Sequence, residues 1–141
     1  VGENHIHIEY SSPSVRGRQI FGGLVGFGQV WVTGAHKATS INFQNDVMID
    51  GKTVPSGKYG FFTIPGKESW KLILNEDWDM HLADEYNEAN DVLRLTVTPE
   101  RLQESVESLT YEVTPIDDNS GTISISWADT KVSFKVENKQ E

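Results

Sequence analysis

The 141-residue chain contains no cysteine. That excludes a disulfide framework, a cysteine zinc site and a thiol nucleophile. No apolar run approaches the roughly 20 residues that a helix needs to cross a bilayer. Basic charge is scarce as well: 12 Lys and Arg stand against 21 Asp and Glu, a net charge of −9. Affinity for nucleic acid rests on neutralising phosphates, so no nucleic-acid partner is expected, and anionic membrane surfaces are disfavoured on the same ground. The catalytic signatures G-x-S-x-G and S-x-x-K and the phosphate loop G-x-x-x-x-G-K-[ST] are absent. One absence is local. From Tyr10 to Asn45 there is no Asp or Glu, although the segment 14–40 holds six of the twelve glycines together with Arg16, Arg18, His36 and Lys37.

What remains is apolar material at period two. Hydrophobic residues make up 37% of the chain, enough for one core, and the length suits one domain over residues 1–141. "TISISW" puts Ile123, Ile125 and Trp127 on one face. "KVSFKV" does the same with Val132, Phe134 and Val136, and the short "ADT" between them reads as a hairpin turn. Leu109, Tyr111 and Val113, then Leu93, Leu95 and Val97, then Trp70, Leu72 and Leu74 repeat the pattern, and "HIHIEY" near the N-terminus reads as a half-buried strand. Asp50-Gly51, Pro55-Ser56-Gly57, Pro65-Gly66 and the stretch 117–121 are turn signals. Only 77–90 and 99–105 have a helical cast, one or two short turns at most. The reading is all-β: a single-domain antiparallel β-sandwich, jelly-roll-like, of eight or nine short strands. Its core is expected to include Leu72, Leu95, Tyr111, Ile125, Trp127 and Phe134.

Four groups of residues invite a chemical reading. The order G-G-x-x-G-x-G in "GGLVGFG" departs from the dinucleotide fingerprint and precedes no helix, so the glycines are read as turns packed against Phe21, Phe27 and Trp31. The acid-free segment then becomes a long, mostly buried excursion anchored by Phe21, Leu24, Val25, Phe27, Val30 and Trp31, since unpaired buried charge is costly. His5 and His7 share a strand face, and His36 or His81 would have to complete a metal site. With no further spacing signature, no metal and no cofactor are expected. The carboxylates of 76–91 read as a solvated acidic loop. With the histidines they would also serve the alternative function, a metal-assisted hydrolase. Among the tryptophans, Trp78 lies in that acidic loop and is the one expected to be exposed, whereas Trp70 and Trp127 are in phase with core residues.

The site expected here is a pocket of Arg16, Arg18, Trp31, Thr33, His36, Lys37 and Thr39. On extended backbone, Arg16 and Arg18 would point the same way. Their planar donor forks suit a small anionic or hydroxyl-rich ligand.

The phrases "YSSPSVRGRQIFGGLV" (10–25), "VWVTGAHKATSI" (30–41), "DGKTVPSGKYGFFTIPG" (50–66), "DVLRLTV" (91–97) and "SVESLTYE" (105–112) resemble the bacterial family known as domain of unknown function 2911, DUF2911. The resemblance spans nearly the whole chain. It implies a secreted or periplasmic β-sandwich, a small-ligand or partner-binding or structural module of the cell envelope, with no established activity. The family pattern is expected to carry Arg at position 32 and Asn at position 36, where this chain has Val32 and His36. The start at Val1 is expected of a mature form that has lost a signal peptide, or of a trimmed chain.

Overall fold

The computed structural model describes residues 4–35, 37–80 and 86–139. Nine strands form two antiparallel sheets. They are β1 (Ile6–Glu9), β2 (Thr39–Phe43), β3 (Val47–Ile49), β4 (Lys52–Val54), β5 (Gly57–Ile64), β6 (Trp70–Asn75), β7 (Asp91–Val97), β8 (Glu100–Pro115) and β9 (Ser120–Asn138). The first sheet runs β1-β2-β5-β6-β7 and the second β4-β3-β9-β8. Among the described residues, no helix is long and apolar enough to cross a membrane.

The core lies between the sheets. Ile41, Phe43, Phe61, Leu72 and Leu74 of the first sheet meet Leu109, Ile123, Ile125, Trp127, Val132, Phe134 and Val136 of the second in one cluster. Each fully buried side chain of this size contributes about 1.5–3 kcal/mol relative to exposure. Of the residues expected inside, Leu72, Ile125, Trp127 and Phe134 are buried, while Leu95 and Tyr111 are partly buried against the cluster. A smaller cluster of Val32, Ala38, Phe62, Ile73 and Met80 covers the outer face of β5 and β6. Those two strands are therefore apolar on both faces, which explains the unbroken runs in "GFFTI" and "WKLIL".

β9 is a continuous run of strand that doubles back on itself. The Asn138 N–H donates to the Asn119 carbonyl at 2.7 Å, and the hydroxyls of Ser124 and Ser133 lie 3.1 Å apart. Nine extended residues would span about 30 Å, so the run must fold. Both pairs are centred on the Ala128–Asp129 bond, where Ala128 adopts φ 52°, the positive φ that two-residue hairpin turns demand. The hairpin expected between "TISISW" and "KVSFKV" is there, and this register sets Ile125 opposite Val132 and Ile123 opposite Phe134. The Asp50-Gly51 turn joining β3 to β4 obeys the same rule, with φ 52° and 76°.

Two expectations are corrected. Residues 99–105 do not form a helical turn. Glu100 and Arg101 pair with Lys131 and Thr130, and β8 shifts register between Arg101 and Val106. One isolated turn is too short to sustain itself, so strand pairing wins. In the stretch 77–90 the described helical structure is a 3-10 turn at Glu88–Asn90, capped by the Asn87 side chain, which accepts from the Ala89 N–H. Residues 81–85 of that stretch lie outside the described residues.

The acid-free excursion is also less buried than expected. Ile20 and Val25 are buried and Phe21 is partly so, but Leu24 is 55% and Phe27 38% exposed. Tight turns are the cause. The Val25 N–H donates to Ile20 C=O and the Gly22 N–H to Val25 C=O, both at 2.8 Å, so only part of the apolar set faces inward.

Candidate functional site

One end of the sandwich holds a concavity of about 670 Å³. Its floor begins with a four-ring cluster. The Phe21 ring meets Trp70 at 5.0 Å, Trp31 at 5.9 Å and Trp127 at 6.2 Å, each edge to face. Trp31 stacks on Trp127 at 5.8 Å with planes 17° apart. Edge-to-face and offset pairs suit the ring quadrupole. The cluster is anchored by its indole donors: Trp127 Nε1 to the Glu107 carbonyl at 3.0 Å and Trp31 Nε1 to the Gly34 carbonyl at 3.1 Å. Phe21, Trp70 and Phe27 line the cavity. Gly22, at φ 87°, lets Phe27 fold over, since a Cβ there would lie 2.7 Å from Phe27 Cε2.

Four separate chain segments supply the walls. The first is the turn Val15–Arg18, closed by the Arg18 N–H donating to Val15 C=O at 3.0 Å. The second is the β5–β6 connection with Gly66 and Lys67. The third is Pro99 of the β7–β8 crossover with Glu100, Arg101 and Ser105 of β8, and the fourth is the β9 hairpin tip, Ala128 to Thr130. Arg101 Nη1 lies 3.1 Å from Asp129 Oδ2, tying the start of β8 to the tip. Arg18 bends back over its own turn, donating from Nε to Val15 C=O at 3.1 Å and from Nη2 to Ser14 C=O at 2.6 Å. Among the described residues, neither Lys67 nor Glu100 has an oppositely charged partner within 4 Å.

The expected site residues are thus divided. Arg18 lines the concavity, and Trp31 lies against its floor through Phe21. Arg16 sits at the tip of a turn with φ 50°, followed by Gly17 at 70°. The extended backbone that would have aligned the two arginines is replaced by that turn. Arg16 is exposed, and its N–H donates to Glu107 Oε2 at 3.0 Å. Thr33 and Thr39 are buried and knit the 31–39 loop together. Thr39 Oγ1 donates to Thr33 C=O at 3.0 Å, and Thr33 Oγ1 is 3.1 Å from both the Trp31 carbonyl and Thr63 Oγ1. Lys37 is exposed, 4.0 Å from Asp79, beside a smaller cleft of about 190 Å³ that Trp78 also borders. Trp78 is half-buried under the Lys58 ammonium, 3.9 Å from its ring centroid. His36 and His81 lie outside the described residues.

His5, just before β1, and His7 on it are exposed with ring centroids 6.4 Å apart, and His7 Nε2 meets Glu9 Oε1 at 3.1 Å. Among the described residues, no three His, Asp or Glu converge to hold a metal ion. The acidic stretch is instead tied to the edge of the first sheet. The buried Asn75 donates to Asn87 C=O at 3.0 Å and to Asp91 Oδ1 at 2.9 Å, and its Oδ1 accepts from the Asp77 N–H at 2.8 Å. Asp91 also accepts from the Tyr86 hydroxyl at 2.8 Å and from Arg94 at 3.1 Å. Burial, then the bond to Asp91, pushes the Tyr86 hydroxyl up to about 12. Sequence reasoning missed Gln19, Lys67, Glu100, Arg101 and Asp129 as wall residues. Their one sequence signal was proximity to turns, at Pro65-Gly66 and at "ADT".

Over residues 1–136 the chain matches the family model described as "Protein of unknown function (DUF2911)". No curated protein and no solved structure matches it.

Proposed function

The chain belongs to the DUF2911 family, and from that premise we propose that it is a binding module that takes a small hydroxyl-rich ligand in the concavity at the end of the sandwich. The observation that carries this reading is the combination of aromatic floor and polar wall. Phe27, 38% exposed, and the partly buried Phe21 offer apolar ring surface above the buried Trp70, and Arg18, Gln19, Lys67, Ser105 and Thr130 stand around it. Sugars present one apolar face of C–H groups and a rim of hydroxyls, and a few placed polar groups around an apolar site are what orient such a ligand. A volume of about 670 Å³ falls within the range of small-molecule sites. The reading keeps the module outside the cytoplasm, as the family resemblance implies. A fusion of the complete coding sequence to alkaline phosphatase tests that location: activity on the outer side of the membrane is expected, and activity confined to the cytosol overturns it.

Binding is tested by tryptophan fluorescence, because Trp70 lines the cavity and Trp31 and Trp127 lie beneath it. Titration with a panel of short oligosaccharides is expected to change the emission with saturation, and Phe27→Ala is expected to abolish the change while leaving the melting curve in place. No saturable change with any member of the panel would refute the proposal.

A further inference from the structure

We infer that the ligand of this concavity is an acidic sugar, whose carboxylate is received by Lys67 and Arg101. The inference rests on the binding reading above and adds the charge class. It begins with the local balance of charge. The chain as a whole carries −9, yet the cavity wall holds three cations, Arg18, Lys67 and Arg101, against two carboxylates, Glu100 and Asp129. A positive surplus is set into a strongly acidic protein at the place where Phe27 is exposed.

The cations differ in what they are free to do. Arg18 already donates to two backbone carbonyls and keeps the Val15–Arg18 turn closed. Lys67 has no carboxylate within 4 Å among the described residues. Arg101 is bound to Asp129, but both partners are open to water, with side chains 85% and 51% exposed. An ion pair that open is worth little, so a ligand carboxylate can take over the Arg101 guanidinium at small cost. A planar guanidinium matches a carboxylate by two parallel donors, and a lysine lining the same cavity adds a point charge. The Asp129 carboxylate released by that exchange remains an acceptor at the cavity wall, suited to a sugar hydroxyl. A neutral sugar leaves Lys67 without a partner, and a cationic ligand meets the surplus of like charge.

The test compares trigalacturonate with its fully methyl-esterified form, which has the same length and ring surface but no charge. Both are titrated calorimetrically into wild type, Lys67→Ala and Arg101→Ala, with melting curves as folding controls. The acid is expected to bind at least about tenfold more tightly than the ester, since a hydrogen bond to a charged group is worth that much or more. Each variant is expected to remove that advantage for the acid and to leave the ester's affinity nearly unchanged. Loss of the preference at high salt is the corresponding ionic-strength signature. If acid and ester bind equally, the charge assignment is overturned while the binding reading stands. If neither trimer nor any sugar of the panel binds, the binding reading falls and takes this inference with it.

Discussion

Tyr111→Phe offers a test in which one oxygen atom is removed and the outcome changes sign with pH. The Tyr111 hydroxyl donates to Thr33 C=O at 2.6 Å, a link from the second sheet to the loop that carries Trp31. The Thr33 backbone is held at φ 59°, an uncommon conformation for a β-branched residue, so this carbonyl is fixed by its donors. The ring contacts of Tyr111, at 4.4 Å to Tyr10 and 6.2 Å to Phe61, survive in phenylalanine. Thr33 C=O also keeps its second donor, Thr39 Oγ1 at 3.0 Å. The loss at pH 7 is therefore that of a single hydrogen bond, about 1 kcal/mol. For a chain of this length that lowers the melting temperature by about 2–4 °C.

At high pH the balance reverses. Burial pushes the Tyr111 hydroxyl well above the ordinary tyrosine range. A group whose folded pKa is raised contributes stability that is complete below the unfolded value of about 10 and is lost as pH rises beyond it. Each pH unit above about 10 costs the wild type about 1.4 kcal/mol through this one hydroxyl, and costs the phenylalanine variant nothing there. The two urea-denaturation curves are thus expected to differ by about 1 kcal/mol at pH 7 and to converge or cross near pH 11. A gap that stays constant from pH 7 to 11 would show that the hydroxyl ionises freely and that the contact to Thr33 does not hold the loop.

Three further outcomes are expected. Ala128→Gly relieves a positive φ at the β9 tip, and after the extra chain entropy of glycine a net gain of up to about 1 kcal/mol should appear in urea melts; a loss would place the turn elsewhere. Asn75→Ala removes three hydrogen bonds of a buried side chain and should cost about 2–3 kcal/mol, with proteolysis directed to 76–91; unchanged protection of that stretch would refute the tie. Gly22→Ala forces Phe27 aside and, with the positive φ, should cost about 1–2 kcal/mol and weaken sugar binding in the fluorescence titration; intact binding would remove Phe27 from the site.

The sandwich was legible because its strongest signals are local in the chain. The alternation in 123–127 and 132–136 determines which side chains of β9 face the core, and the two residues at its tip follow from where the alternation changes phase. Asp50-Gly51 announces its turn by composition. The wall of the cavity was not legible, because its members come together only through pairing between distant segments. Lys67 belongs to a turn, and Arg101 to the start of β8, where the register shifts and the sequence carries no period. Arg16 and Arg18 misled for the opposite reason: the spacing of two is informative only on extended backbone, and Gly17 permits a turn between them. The threonines at 33 and 39 looked like ligand groups because a hydroxyl that closes a loop and one that greets a ligand are the same in sequence.

The apolar layer over β5 and β6 has a kinetic consequence. Amides of these strands are shielded above by Val32, Ala38 and Met80 and below by the sandwich core, so they are released only when the whole molecule opens. The cavity wall is built from turns, the start of β8 and an exposed ion pair, where opening is expected to be local. In hydrogen–deuterium exchange the chain should therefore divide into a slow centre and a fast mouth. A mouth of this kind can reshape its loops to admit a guest without loosening the strands that keep the protein folded, and substitutions there can alter what it accepts with little penalty to the rest.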